Sequence, residues 1–433
     1  MRILLFTSLM LFFITSLGHT QEIKPEIKIG GTLYTGWDYN VGNSEFINML
    51  DLNSPDANQP FGYMPTKNQF ETSKNSFYLE RAYINVLATI GPQIKARFTP
   101  DIYSFTDGKG TTQYSYQVKF AWLEYTPLKT DEGLALSFTG GLVPNLWVGQ
   151  IEKAFGYRGA VKTLTDILWT TSASVNTTSG AVTRTTSSYF STADLGVIAK
   201  LSLPKNYADV SVAVYNGNGF RNLSFDNRFK DVMFSGFVYP LAGDLAKKRE
   251  AANKIGKTRI DGISDLTIGG FGYIGKLGGG EGRTGKTRYG GMANFKYNFN
   301  NVGFVKVGGE YSVYSNEVSS TSATDSTVNG NGISTWIEFN PPIEELKEKV
   351  SVVGRFDWFD PNTNKPGTNA QGFTADNGKQ SLIMIGLFYK PVNMVTLGMN
   401  YQLYSLEKDF AVKYDGTPTS TVSKLFFNFI LEI

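Results

Sequence analysis

The residues of this chain that could do chemistry are few, and most candidates fail on context. The octapeptide Gly280-Glu281-Gly282-Arg283-Thr284-Gly285-Lys286-Thr287 matches the phosphate-cradling loop of nucleotide hydrolases letter for letter. A phosphate cradle needs a buried parallel strand before it and a helix after it. The residues C-terminal to the octapeptide, YGGMANFKYNF, alternate as a strand, so the octapeptide reads as a Gly-rich hairpin loop. Asp415-Gly416-Thr417 has no second acidic motif to pair with, and no spacing brings two carboxylates together for acid–base work. The single histidine is His19 and there is no cysteine. That removes Cys/His zinc sites, imidazole catalysis and disulfides in one step. The sequence therefore predicts no enzyme, no metal site and no cofactor.

Charged residues that could act on a passing solute are better placed. Between Leu142 and Trp169 the chain reads LVPNLWVGQIEKAFGYRGAVKTLTDILW. Trp147, Ile151 and Phe155 recur at helical spacing, and after Gly156 and Gly159 so do Val161, Leu164, Ile167 and Leu168. The segment predicts two short helical turns hinged at Gly156 to Gly159. It carries Glu152, Lys153, Arg158, Lys162 and Asp166, with Lys153, Arg158 and Lys162 expected to face the two acids. Arg81, Lys95 and Arg97 fall on one face of the two strands Ser76–Ile90 and Gln93–Tyr103. Charge at a narrow aqueous passage biases which ions cross, so these eight residues are candidate pore-lining groups. The same charges could instead pair with one another and hold the segment in place; both readings fit lumen positions.

The elements that must position them are strands. Sixteen stretches alternate apolar and polar residues, from Ile27–Trp37 to Val422–Ile433, with Leu397, Met399, Tyr401 and Leu403 on one outward face and Leu425, Phe427, Phe429, Leu431 and Ile433 on another. Inward residues are expected to be mostly small. Connections alternate between short turns (Gly91-Pro92, Pro204-Lys205-Asn206, Pro391 to Asn393) and long polar loops (Tyr39 to Asn75, Asn316 to Gly332, Asp360 to Gln380). An even strand count with loops of unequal length at the two ends is the pattern of an outer-membrane barrel. The fold expected is all-β: a 16-stranded antiparallel transmembrane β-barrel whose third extracellular loop, the 142–169 segment, folds inward. One connection breaks the pattern: Pro240 to Ser264, with LAGDLAKKREAANK, reads either as a short helix or as a missed strand pair.

Residues Ile3 to Leu17 are apolar behind Arg2, with Ser16, Gly18 and Thr20 available for cleavage, so residues 1–20 read as a signal peptide and 21–433 as the barrel domain. Charged residues are 18% and aromatics 14% of the chain, a balance suited to a surface that faces lipid. The formal charge of +3 becomes +2 once Arg2 is removed, too little basic excess for a nucleic-acid partner. Counted by strand face, Arg81, Lys95, Arg97, Lys200, Lys296, Lys306 and Arg355 stand in the lumen against Glu124, Asp194, Asp209, Asp231, Glu310 and Asp357. This balance predicts a mild preference for anions. The partners expected are outer-membrane lipid and small hydrophilic solutes or ions.

FYLERAYINV (Phe77 to Val86) with IKARFTPDIY behind it, AFGYRGAVKTLTD, STADLGV (Ser191 to Val197), and VAVYNGNG leading to DNRFKD (Val212 to Asp231) together resemble the phosphate-selective porins O and P. The resemblance runs in order through the first 240 residues. It implies a sixteen-stranded, homotrimeric porin of the Gram-negative outer membrane whose third loop enters the channel. The chain departs from it in ending on Ile433 rather than Phe and in lacking an evident ladder of basic residues, so phosphate selectivity does not carry over. Passive diffusion of small hydrophilic solutes is the function expected. The alternative is a barrel with an adhesive role carried by long loops such as Tyr39 to Asn75.

Overall fold

A computed structural model describes residues 24–41, 44–45, 75–106, 112–167, 169–175, 182–221, 229–254, 260–277, 284–299, 302–318, 326–347, 349–360, 363, 379–406, 411–413 and 418–433. Sixteen antiparallel strands close into one barrel. They are β1 (Glu26–Val41), β2 (Asn75–Ile90), β3 (Ile94–Thr106), β4 (Thr112–Lys129), β5 (Ala135–Pro144), β6 (Ala193–Ser202), β7 (Ala208–Tyr215) and β8 (Asp231–Val238) in the first half. The second half is β9 (Gly262–Leu277), β10 (Thr284–Phe299), β11 (Gly303–Val318), β12 (Ser326–Asn340), β13 (Val350–Asp360), β14 (Gln380–Val392), β15 (Val395–Leu406) and β16 (Thr421–Glu432). Each strand pairs with its neighbour in sequence, and β1 with β16 closes the ring, from Thr32 opposite Glu432 to Val41 opposite Ser423. Closure leaves no sheet edge, so the wall strands pair with a neighbour on both sides, as a bilayer demands.

All sixteen strands legible in the sequence are present. The apolar rows on β15 and β16 do face outward, with Leu397, Met399, Tyr401, Phe427 and Phe429 among the exposed large side chains. Short turns join β2 to β3, β4 to β5 and β14 to β15 at one end. The ambiguous stretch after β8 is a helix, Ala242–Lys254, at that same end, and not a strand pair. Residues Thr284 to Thr287 are the start of β10 and continue straight into strand, so the octapeptide lacks the helix of a phosphate cradle. Residues 1–20 and most of Tyr39 to Asn75, the stretches that read as signal peptide and adhesive loop, lie outside the described residues. No helix among the described residues is long and apolar enough to cross a membrane.

The interior departs from expectation in one respect. Its inward side chains are not mostly small. Phe271, Tyr314, Trp336, Phe359, Phe388 and Tyr404 on β9 to β15 are all buried and belong to one apolar cluster that also takes in Trp147, Ile151, Phe155, Tyr157 and Leu164. A barrel of this strand number has room for water in its lumen, so large inward aromatics need something to pack against. The 142–169 segment is that partner.

Candidate functional site: the segment across the bore

The segment leaves β5 at Pro144 and returns to β6 at Ala193. Its first helix, α1 (Val148–Phe155), starts where the Asn145 side chain accepts the backbone N–H groups of Trp147 (2.9 Å) and Val148 (3.2 Å). It stops at Gly156, whose left-handed φ of 84° lets the chain turn. A second helix, α2, covers Leu164–Ile167. In the Ser/Thr-rich stretch after it, Trp169–Val175 pairs with Val182–Ser188 as a two-stranded hairpin.

The apolar face of the segment packs on the wall from β8 onward. Trp147 stacks on Phe237 and leans on Phe271, with centroids 5.6 and 4.6 Å apart. Phe155 meets Trp336 edge-on, and Tyr157 sits 4.4 Å from Phe388. Polar contacts fix the register. Glu310 on β11 accepts from both ends of the segment, Trp147 Nε1 at 3.2 Å and Thr165 Oγ1 at 3.3 Å. Lys306 on the same strand donates to the Phe155 carbonyl at 2.9 Å and pairs with Glu338 on β12, which also accepts the Tyr157 hydroxyl at 2.5 Å. Gln402 on β15 donates to the Ala160 carbonyl at 3.2 Å and Asn428 on β16 to that of Gly159 at 3.4 Å. A Cβ at Gly159 would lie 2.8 Å from both Ile430 and Tyr34, so only glycine lets the backbone approach the wall there.

The charged edge faces the other way, toward β2 to β4. Arg158 is its hub: the guanidinium contacts Glu80 on β2 at 2.9 Å, Glu152 at 3.0 Å and Asp166 at 3.4 Å, with one tenth of the side chain exposed. Burial pushes the Glu152 carboxyl up, against the pull of Arg158. Burial works the same way on Asp166, but Arg158 and Lys162 outweigh it and hold that carboxyl below its ordinary range. Lys162 is buried, and this burial lowers its ammonium to about 8, with Asp166 opposing and Arg158 adding to the shift.

Glu80 is the partner that alternation hides. Between β1 and β2 the register jumps from Tyr34 opposite Arg81 to Thr35 opposite Leu79. This bulge lets the two adjacent residues Glu80 and Arg81 both turn inward. Arg81 then pairs with Asp101 on β3 at 2.6 Å. A second bulge, between Thr99 and Pro100 of β3 and their partners, leaves Lys119 on β4 unpaired in the ladder. Lys119 donates to the Tyr83 hydroxyl at 3.0 Å and lies over the same ring at 4.5 Å. Arg97 is held by neutral groups too: Thr99 at 2.9 Å, Asn85 at 2.8 Å and the face of Phe120 at 4.4 Å.

Of the eight sequence-derived candidates, Arg158, Glu152, Asp166, Lys162 and Arg81 thus gather with Glu80 along one edge, and Arg97 on β3 shares the Phe120 ring with Lys119. Two do not join. Lys95 lies near the short-turn end of β3, paired with Glu124 at 3.5 Å and 59% exposed at its side chain. Lys153, expected to face Glu152 and Asp166, instead lines a cavity on the short-turn side of α1 with Lys205 and Arg249. An i to i+1 step on a helix turns about 100°, so Glu152 and Lys153 cannot share an edge. Of the wall charges counted from alternation, Lys200 pairs with Asp209 at 3.1 Å and Arg355 with Asp357 at 2.7 Å, while Asp231 and Lys306 are taken up by Lys286 and Glu338, two lumen charges that the count omitted, as it did the pair Lys424–Asp38.

These features define a class, a sixteen-stranded transmembrane barrel with its third loop packed across the interior. No family profile and no curated protein matches the sequence, so the resemblance to phosphate-selective porins finds no counterpart at the sequence level. Solved structures do match the fold. The outer membrane channel DcaP of Acinetobacter baumannii superposes with a TM-score of 0.55 at 10% identity, covering 96% of this chain and 99% of that one. OprB of Pseudomonas putida gives 0.52 at 8% identity, with 94% of each chain covered.

Proposed function

We propose that the chain is an outer-membrane channel for passive diffusion of small hydrophilic solutes, with residues 145–167 as its constriction. One observation carries the reading: an amphipathic segment is glued by its apolar face to β8 through β16 and presents its charged edge to β2 through β4. Solutes would pass beside that edge, along the part of the β3 and β4 wall that the Arg158–Glu80 contact with β2 leaves open. The site needs no cofactor, since charge and width alone do the sorting. Among the described residues, Arg97, Lys119 and Lys162 have no carboxylate within the 4.0 Å ion-pair distance. Three cations whose charge is not cancelled by contact favour anions mildly. Assembly as a homotrimer belongs to the same proposal and rests on the resemblance to the phosphate-selective porins.

A bilayer recording under a potassium chloride gradient tests it. The reversal potential is expected on the anion side, and strong cation selectivity would contradict the proposal. The pH dependence has a definite sign. Lys162, lowered by burial to about 8, is charged below that pH and neutral above it, with Asp166, Glu80, Arg158 and Arg81 as its charged neighbours. Raising the pH from about 7 to about 9 removes a positive charge from the edge, so the anion preference should fall. In Lys162→Met the preference should be low at both pH values.

A further inference from the structure

The connection between β8 and β9 should be a short turn in a barrel of this kind, yet it carries the helix α3 (Ala242–Lys254). That helix does not stand away from the barrel. Leu245 and Ala252 bury themselves with Ile260 in a small core of their own, and the phenol of Tyr207 packs against Gly243. Between α3, the underside of α1 and the wall lies a cavity of about 900 Å³. This is the size of a site for a small organic molecule.

Its lining carries more cations than carboxylates. Lys153 enters from α1, Lys205 from the turn between β6 and β7, and Arg249 from α3. None of the three has a carboxylate at ion-pair distance among the described residues. Of the two carboxylates in the lining, one is paired with a cation and the other is held by neutral donors. Asp209 pairs with Lys200 at 3.1 Å, and Asp265 accepts from Thr267 at 3.0 Å and Asn294 at 2.7 Å. Lys205 and Asn206 both hold left-handed backbone, φ 55° and 56°. Such conformations are unfavourable for side-chain-bearing residues and persist where surroundings enforce them; here the Lys205 N–H is tied to the Glu132 carbonyl at 2.6 Å. An apolar flank of Phe237, Leu245, Ile260 and Met292 completes the lining.

We propose that α3 closes a chamber on the short-turn side of the constriction, and that the chamber binds small organic anions: the carbon skeleton against the apolar flank, carboxylates toward Lys153, Lys205 and Arg249. Delivery of the anion to the chamber rests on the channel reading, whereas binding in it does not. Lys153 stands on the helix that also carries Glu152, so a solute in the chamber lies next to the constriction.

The test uses the full-length protein in detergent, titrated with adipate as the probe and with the uncharged diol of the same chain length as control. Saturable adipate binding without diol binding is expected. The double variant Lys205→Asn/Arg249→Gln removes two charges while keeping a residue that tolerates left-handed backbone, and should weaken binding about tenfold. No saturable binding, equal binding of the diol, or unchanged affinity in the variant would overturn the chamber. Recording the same preparations in bilayers separates the two ideas: current without adipate binding defeats the chamber alone, and variant-sensitive binding without current defeats the channel reading alone.

Discussion

Replacing Arg158 with methionine is expected to loosen the segment from the first half of the wall while leaving the barrel closed. The guanidinium serves Glu80, Glu152 and Asp166 together. Removing one partner of a buried charge cluster leaves the rest uncompensated, at a cost on the order of 3–5 kcal/mol. Lys162, Lys119 and Arg81 lie near enough to act on the orphaned carboxylates, but Lys119 is held by Tyr83 and Arg81 by Asp101, and Lys162 makes no ion-pair contact with them. Single-channel traces of Arg158→Met should become noisy and rise in mean conductance, and the unfolding temperature in detergent should fall. Adding Glu80→Gln should recover part of the lost stability, because the largest unpaired charge on β2 is then gone. A variant as quiet and stable as the parent would mean that the triple ion pair does not hold the segment.

Trp147→Ala should have a comparable effect from the opposite face. The indole is fully buried, stacked between Phe237 and Phe271, and its N–H donates to Glu310. Truncating a buried aromatic of that size costs about 3–5 kcal/mol. The other oxygen of Glu310, Oε1, has no hydrogen-bond partner, so losing the indole leaves that carboxyl with Thr165 as its side-chain donor. Trp147→Phe separates the two contributions. It keeps most of the stacking and forfeits the hydrogen bond, which predicts a smaller loss of about 1–3 kcal/mol. Differential scanning of the detergent-solubilised variants reads both losses on one scale.

The wall is legible in the sequence because a strand buried on one side writes its geometry as a period of two, and sixteen such runs are long enough to place. The helical break between Leu142 and Trp169 is legible for the same reason: Trp147, Ile151 and Phe155 keep a period near four that no strand supports. What alternation cannot show is where it fails. Glu80 and Lys119 sit at bulges, where one extra residue turns a neighbour inward, so strict counting puts Glu80 on the lipid side and omits Lys119. The large inward aromatics of β9 to β15 carry a signal that alternation alone does not use, since an aromatic on the lumen face of a barrel needs a partner. Lys153 is misplaced when the charges of one helix are treated as a single cluster, because its neighbour Glu152 points along a different edge.

The central claim is that residues 145–167 set the width of a conducting pore. It is tested most directly by single-channel conductance of the purified protein before and after deletion of Val148 to Asp166, with folding of the deletion variant verified by its heat-modifiable electrophoretic mobility. Conductance is expected to increase several-fold and ion selectivity to weaken, because a lumen of sixteen strands without its inward loop is a wide aqueous channel. A folded deletion variant with the parent's conductance would contradict the account.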